Sequence, residues 1–234
     1  MAKVKSVFLD FVRHVVNGDV DEVARRLATN PSLATAPAEV GATRQGASDY
    51  FFAEIAHYLY AGDTALHMAA AAFRTSVARI LVAHGADCRA RNRRGAEPLH
   101  YAADANHWDP TAQAETIEYL LSVGADPNAV DNSGVAPLHR AVRTRSLPAV
   151  QALLDGGASP TAPNKAGSTP LHIAVQTTGR GGSGSEHARR QQAAIIRLLL
   201  ERGASPADPD GRGKQVREAA TSEWIRTLLV GGAG

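Results

Sequence analysis

The feature that most constrains this chain is a four-residue phrase that returns along it. Thr169-Pro170-Leu171-His172 is the sharpest copy, and Thr64-Ala65-Leu66-His67, Glu97-Pro98-Leu99-His100 and Ala136-Pro137-Leu138-His139 are weaker ones. Leu66 and Leu99 lie 33 positions apart, as do Leu138 and Leu171, while Leu99 and Leu138 are separated by 39. A self-similar period of this length implies a stacked repeat architecture, not a single centred core. The local chemistry agrees. Proline in a first helical turn loses no hydrogen bond and presets φ, and a preceding threonine can cap. The leucine supplies a core anchor, the alanines after it permit close helix approach, and the histidine offers two ring nitrogens for bridging.

Each copy follows a glycine (Gly62, Gly95, Gly134, Gly167) and precedes a small apolar run such as Met68-Ala69-Ala70. A second echo comes farther on. Ile80-Leu81-Val82-Ala83-His84-Gly85-Ala86-Asp87 returns as Tyr119-Leu120-Leu121-Ser122-Val123-Gly124-Ala125-Asp126 and Leu198-Leu199-Leu200-Glu201-Arg202-Gly203-Ala204-Ser205. Gly85, Gly124, Gly157 and Gly203 stand where a second helix ends and a left-handed residue is wanted. These residues resemble the ankyrin repeat: a turn, a T-P-L-H-x-A helix, a second helix and a G-A-D exit. The resemblance implies an all-α fold, an ankyrin-repeat solenoid of stacked helix–turn–helix units with β-turn or hairpin tips. One repeat cannot bury its apolar face alone, so the copies must stack.

Taken in order, residues 1–34 read as an N-terminal capping repeat with helical stripes at Val7, Phe8, Phe11, Val12 and Val15, then Val23 and Leu27. Residues 35–61 break the period. Their first half is rich in Ala, Pro, Gly and Thr, and Ser48 to Leu59 predicts an extra helix with Phe51, Phe52, Ile55 and Leu59 on one side. Tyr50, Phe51, Phe52, Tyr58 and Tyr60 are half of the chain's five Phe and five Tyr. Repeats follow at 62–94, at 95–133 with an insertion between its helices, at 134–166, and at 167–212 with a Gly-rich insertion. The second helix of that last repeat is expected near Gln191 to Glu201. Residues 213–234 read as a C-terminal capping repeat with Glu218 in the histidine slot. Six helix pairs result, the first and last acting as caps.

The formal net charge is only +2, so bulk charge favours neither nucleic acid nor an acidic substrate. Cys88 stands alone, which excludes a disulfide framework and a thiolate metal cluster. No span reaches transmembrane length, so the expectations are a cytoplasmic monomer without membrane, nucleic acid, metal or cofactor. Gly179-Arg180-Gly181-Gly182-Ser183-Gly184 fits G-x-G-x-x-G, but it follows a helix and lacks the strand–turn–helix setting of a nucleotide site, so it reads as a linker. The four recurrent histidines fall on successive repeats, about 10 Å apart by helix packing, too far to share one ion. Asp63, His67, His57 and Glu54 form at most a small polar cluster, read as a cap network. No residues present a catalytic constellation.

The function that remains is a non-catalytic interaction module, a scaffold, adaptor or inhibitor, binding another protein through repeat tips and a concave face. The first tip is basic, with Arg91, Arg93 and Arg94 beside Arg89, which suits an acidic partner. The matching tip positions farther on include Asn132 and Lys165, and Arg143 lies at a corner between the two later insertions. Phe52 and Tyr58 in the aromatic insertion and Trp108 in the next one add candidate anchors. The alternative is a small-ligand binder or enzyme whose pocket is formed by the inserted segment 35–61.

Overall fold

The computed structural model describes residues 7–43, 46–104, 109–176 and 185–231. The chain divides into two compact units, residues 1–126 and 127–234. In the first, the pairs are α1 (Val7–Asn17) with α2 (Val20–Thr29), α3 (Ala65–Ala71) with α4 (Thr75–Ala83), and α5 (Pro98–Ala102) with α6 (Pro110–Ser122). The second unit has α7 (Pro137–Thr144) with α8 (Leu147–Asp155), α9 (Pro170–Ala174) with α10 (Glu186–Glu201), and α11 (Val216–Ala219) with α12 (Glu223–Gly231). Within the first unit α1, α3 and α5 pack in succession, as do α2, α4 and α6. Within the second, α7, α9 and α11 do the same, beside α8, α10 and α12. Among the described residues no helix is long and apolar enough to cross a membrane.

The T-P-L-H phrase opens the first helix of each middle pair, and its leucine (Leu66, Leu99, Leu138, Leu171) is buried in every copy. Its histidine explains why such short helices persist. His67 Nδ1 accepts the Thr64 N–H at 3.1 Å, which leaves the ring proton on Nε2 to donate to the Ala96 carbonyl of the next repeat at 3.0 Å. His139 joins Ala136 to Ser168 in the same manner, and His172 joins Thr169 to Lys214. The imidazole thus plays the glutamate's part in a capping box while tying one repeat to its successor. Gly85, Gly124, Gly157 and Gly203, at φ from +89° to +98°, end the second helices as their spacing predicts.

Between α1 and α2 Arg26 bridges Glu22 and Asp10 at 2.7 and 2.8 Å, and the Arg25 and Arg26 guanidiniums hold the Glu22 carboxyl down to about 2. On α11 Glu218 occupies the histidine slot and accepts the Gln215 N–H at 2.9 Å. Meanwhile α10 begins at Glu186, earlier than the Gln191 start read from sequence, because Ser185 caps it by accepting the Ala188 N–H at 3.2 Å. The Gly-rich insertion and Trp108 fall outside the described residues, except for Ser185 at the insertion's end.

One expectation is overturned. Residues 48–59 do not form a helix. Two single 3₁₀ turns, Ser48–Tyr50 and Ala53–Ile55, alternate with β1 (Phe51–Phe52) and β2 (His57–Tyr58), which pair antiparallel with Phe51 opposite Tyr58. Ala56 turns the chain in the left-handed region at φ 46°. Residues 36–43 run alongside and remove the helical option, through Ala42 N–H to Leu59 O, Gly62 N–H to Ala38 O and Ala38 N–H to Asp63 O at 2.7–2.8 Å. Aromatic residues suit an extended, half-buried surface better than a lone helix, so the ladder wins. The insertion is therefore an enlarged hairpin between α2 and α3, at the edge where ordinary repeats carry their tips.

Leu138→Ala is expected to cost about 2–5 kcal/mol in chemical denaturation, from lost burial plus the cavity left behind. His139→Ala is expected to cost about 1–3 kcal/mol, because the Ala136 N–H and Ser168 carbonyl lose their partner. Burial holds the His139 imidazole below its ordinary 6.5. The unfolded chain then takes up the proton first, so this contribution is full above pH 6.5 and fades as pH falls below it. Comparing wild-type and His139→Ala denaturation midpoints across that window checks the sign.

Candidate partner-binding surface

The first tip is built around Asn92. Its Oδ1 accepts the Arg94 and Ala96 N–H groups at 2.9 and 3.1 Å, and its own N–H donates to the Ala96 carbonyl at 3.0 Å, closing the turn of residues 92–96. Its Nδ2 reaches back to Asp63 Oδ1 at 2.8 Å and to the Tyr101 hydroxyl at 3.0 Å. That hydroxyl donates to the same carboxylate oxygen at 2.8 Å, while Asp63 Oδ2 accepts the Tyr60 N–H at 2.7 Å. Asp63 is 0% exposed and so has no water to fall back on. Three separate segments, the hairpin, the tip and α5, are fastened to this one carboxylate. Gly62, at φ +88°, lets them close up, since a Cβ there would sit 2.9 Å from the Arg93 nitrogen.

This hub brings two sets of candidate residues into contact. The Arg94 guanidinium lies 4.3 Å from the Tyr60 ring centroid, within cation–π range. Tyr60 neighbours Tyr58 at 6.2 Å, and Tyr58 packs on Phe51 at 4.7 Å. Phe51, Tyr58, Tyr60 and Arg94 therefore form one run of aromatic faces ending in a cation, with the exposed Arg91 and Arg93 at the same tip. Arg89 is turned away, donating to the Gly124 carbonyl at 2.7 Å. Phe52 does not join them. It is 6% exposed and packs inward, whereas Phe51 is 42% exposed. Phe51 and Tyr60 were hidden from sequence reasoning by the helical reading. Tyr58 and Tyr60 are two apart, the spacing that puts side chains on one face of an extended chain, and that was the available signal.

In the second unit Lys165 Nζ donates to the Asn132 carbonyl at 2.6 Å, so these two tip residues meet. Arg143 is exposed in the last turn of α7, at the end away from those tips. Asp63 and His67 serve separate partners, His57 meets the Tyr101 ring edge-to-face at 4.8 Å, and Glu54 is exposed. Among the described residues no group of three or more His, Cys, Asp or Glu is placed to hold a metal ion. Cys88 donates to the Val123 carbonyl at 3.4 Å, and burial pushes its thiol up, away from a reactive thiolate.

Two further features adjoin the tip. A groove of about 870 Å³ runs between α1 and the hairpin, lined by Val7, Phe8, Arg13, Val40, Asp49 and Phe51. Val7 and Val40 are 66% and 58% exposed there. At the base of the tip, Glu97 stands in the threonine slot of its repeat, 5% exposed, and its Oε2 has no hydrogen-bond partner among the described residues. Burial pushes its carboxyl up, Arg91 and Arg89 oppose this, and Asp126 and Asp87 add to it.

A family model for ankyrin repeats, described as three copies, matches residues 17–131 and 111–210. The chain is 41% identical over 81 residues to the E3 ubiquitin-protein ligase KEG of Arabidopsis thaliana, covering 35% of this chain and 5% of that protein. It is 32% identical over 116 residues to neurogenic locus notch homolog protein 1 of Danio rerio, covering 38% and 5%. To the human protein phosphatase 1 regulatory subunit 27 it is 29% identical over 128 residues, covering 54% and 65%. The chain thus spans a small fraction of the first two relatives and just under two thirds of the third.

The Glu97 geometry generates a prediction with a definite sign. A carboxyl whose folded value is raised releases its proton later when folded, so its penalty is absent below pH 4.5 and grows as pH rises through the folded value. Glu97→Thr keeps an oxygen for the His100 N–H and removes the buried charge. Its melting temperature is expected above wild type at pH 7, with a smaller gain at pH 4, by calorimetry at both.

Proposed function

The chain belongs to the ankyrin-repeat family, and on that premise we propose that it is a non-catalytic protein-interaction module, a scaffold, adaptor or inhibitor, acting as a cytoplasmic monomer. Its principal contact is the surface of Phe51, Tyr58, Tyr60, Arg91, Arg93 and Arg94, and the partner presents acidic groups beside an apolar or aromatic side chain. The observation that carries this reading is the Arg94 guanidinium over the Tyr60 ring. It joins charge and apolar area in one place, the combination found at binding hot spots. Arginine's planar fork suits carboxylate recognition, and stacking holds that fork in position before a partner arrives. Likeness to a protein described as a phosphatase regulatory subunit supports a role exercised through another protein. Asn132, Lys165 and Arg143 in the second unit, together with Trp108, are supplementary contacts.

The second reading is a small apolar ligand held between α1 and the hairpin. The groove of about 870 Å³ with three exposed apolar residues favours it. The two readings part on substitution.

With a partner isolated on the wild-type chain, Arg91→Ala/Arg93→Ala/Arg94→Ala is expected to weaken binding by about tenfold or more in titration calorimetry. Melting temperature should hardly change, since exposed charges contribute little to folding. Phe51→Ala and Tyr58→Ala should weaken binding as well. The wild-type affinity should fall as salt rises, exposed charges being screened beyond about 10 Å at 0.1 M. Unchanged affinity in all these variants, or turnover of a small molecule by the purified chain, would overturn the reading.

A further inference from the structure

The second unit carries a separate surface of a different kind. Helices α10 and α12 pack together, burying Ile195, Ile196 and Leu199 of one and Ile225 and Leu229 of the other. Beside that contact runs an open groove of about 580 Å³, lined by Arg189, Arg190, Ala193 and Arg197 on one wall and Trp224 and Leu228 on the other. The spacing explains its form. Residues 190, 193 and 197 stand at i, i+3 and i+7 on α10, so the small Ala193 opens a notch between two arginine stations. Those stations are about 10.5 Å apart along the axis, two helical turns. Trp224 and Leu228, at i and i+4 on α12, face the notch with apolar surface.

The charge here is nearly all of one sign. Glu186 pairs with Arg190 at 2.7 Å, while the exposed Arg189 and Arg197 form no ion pair among the described residues. A capping repeat is expected to close the stack with a polar outer surface. This one leaves a half-exposed tryptophan and leucine between unpaired arginines.

We propose that this groove is a second docking site, independent of the tip surface, and that it takes an acidic amphipathic helix of a partner protein. The ligand carries two carboxylates about two turns apart, with one large apolar residue between them. The carboxylates meet Arg189 or Arg190 at one end and Arg197 at the other, where bidentate pairing is available. The apolar residue enters the notch over Ala193, against Trp224 and Leu228. Helix-in-groove recognition of this kind is read from anchors at helical spacing. The mainly basic lining beside the apolar Trp224 and Leu228 matches a segment that carries both carboxylates and an apolar anchor.

The test uses the 234-residue chain with Trp108→Phe, which leaves Trp224 as its only tryptophan. The probe is a fluorescein-labelled helical peptide bearing Glu-x-x-Leu-x-x-x-Glu, with a second peptide in which both glutamates are lysine. The acidic peptide is expected to bind in anisotropy, shift the Trp224 emission, and lose about tenfold in affinity with Arg189→Glu/Arg197→Glu. The lysine peptide is expected to prefer that variant. Ala193→Gln, which fills the notch and leaves the charges, should also weaken the acidic peptide. Equal binding of both peptides to wild type and charge-reversed chain, or an unmoved Trp224 emission, would overturn the proposal. So would phosphatidylserine vesicles retaining the chain through these arginines when the peptide does not bind. Self-association in sedimentation that Ala193→Gln abolishes would assign the groove to a second copy instead.

Discussion

The rest of the structure depends on the buried imidazole in each T-P-L-H phrase. The helices that begin there are five to eight residues long, too short to persist by themselves. In His67, His139 and His172 the ring accepts the N–H at its own helix start and donates to a carbonyl of the following repeat, so one side chain caps a helix and joins two repeats. That arrangement needs the neutral ring with its proton on Nε2. Burial of His139 favours the neutral form. The leucine beside each histidine supplies apolar burial, which is non-directional, and the imidazole supplies the register.

Asp63 plays a comparable part once, at the hairpin. A carboxylate without solvent must have its oxygens filled, and Asn92, Tyr101 and the Tyr60 backbone fill them. The consequence reaches the surface: Tyr60 is fixed from beneath by its own backbone, its ring lies under Arg94, and Tyr58 and Phe51 continue the same face. A buried polar network can specify one arrangement among several of similar packing. Here it sets which aromatic rings are presented and where the basic tip stands beside them. Exposed arginines add little to folding, so the concentration of charge on this tip and along α10 contributes little to stability.

Much of the fold was legible because its signals are local. The period of the phrase, proline in the first turn and the glycine after each second helix each act within a few residues. Glu97 was equally visible as a departure in the threonine slot. Its burial with an empty lone pair was not, because that depends on what α5 and the tip pack against. Residues 48–59 show the limit most clearly. Phe52, Ile55 and Leu59 are buried under either a helical or an extended reading, so the apolar pattern could not choose between them.

The sequence by itself determined the repeat architecture and the place of each inner helix, since these follow from spacing and from backbone preferences at proline and glycine. Only the tertiary structure decided the rest. Residues 36–43 pair with 59–63 and so convert an expected helix into a hairpin, a choice made by hydrogen bonds between segments about twenty residues apart. Arg94 meets Tyr60 because Asn92, which accepts the Arg94 N–H, and Tyr60 are both bonded to Asp63 across a repeat boundary. The α10–α12 groove exists because Ala193 is small where Trp224 and Leu228 face it. Contacts of this kind join residues far apart in the chain, where spacing carries no information about who will be neighbours.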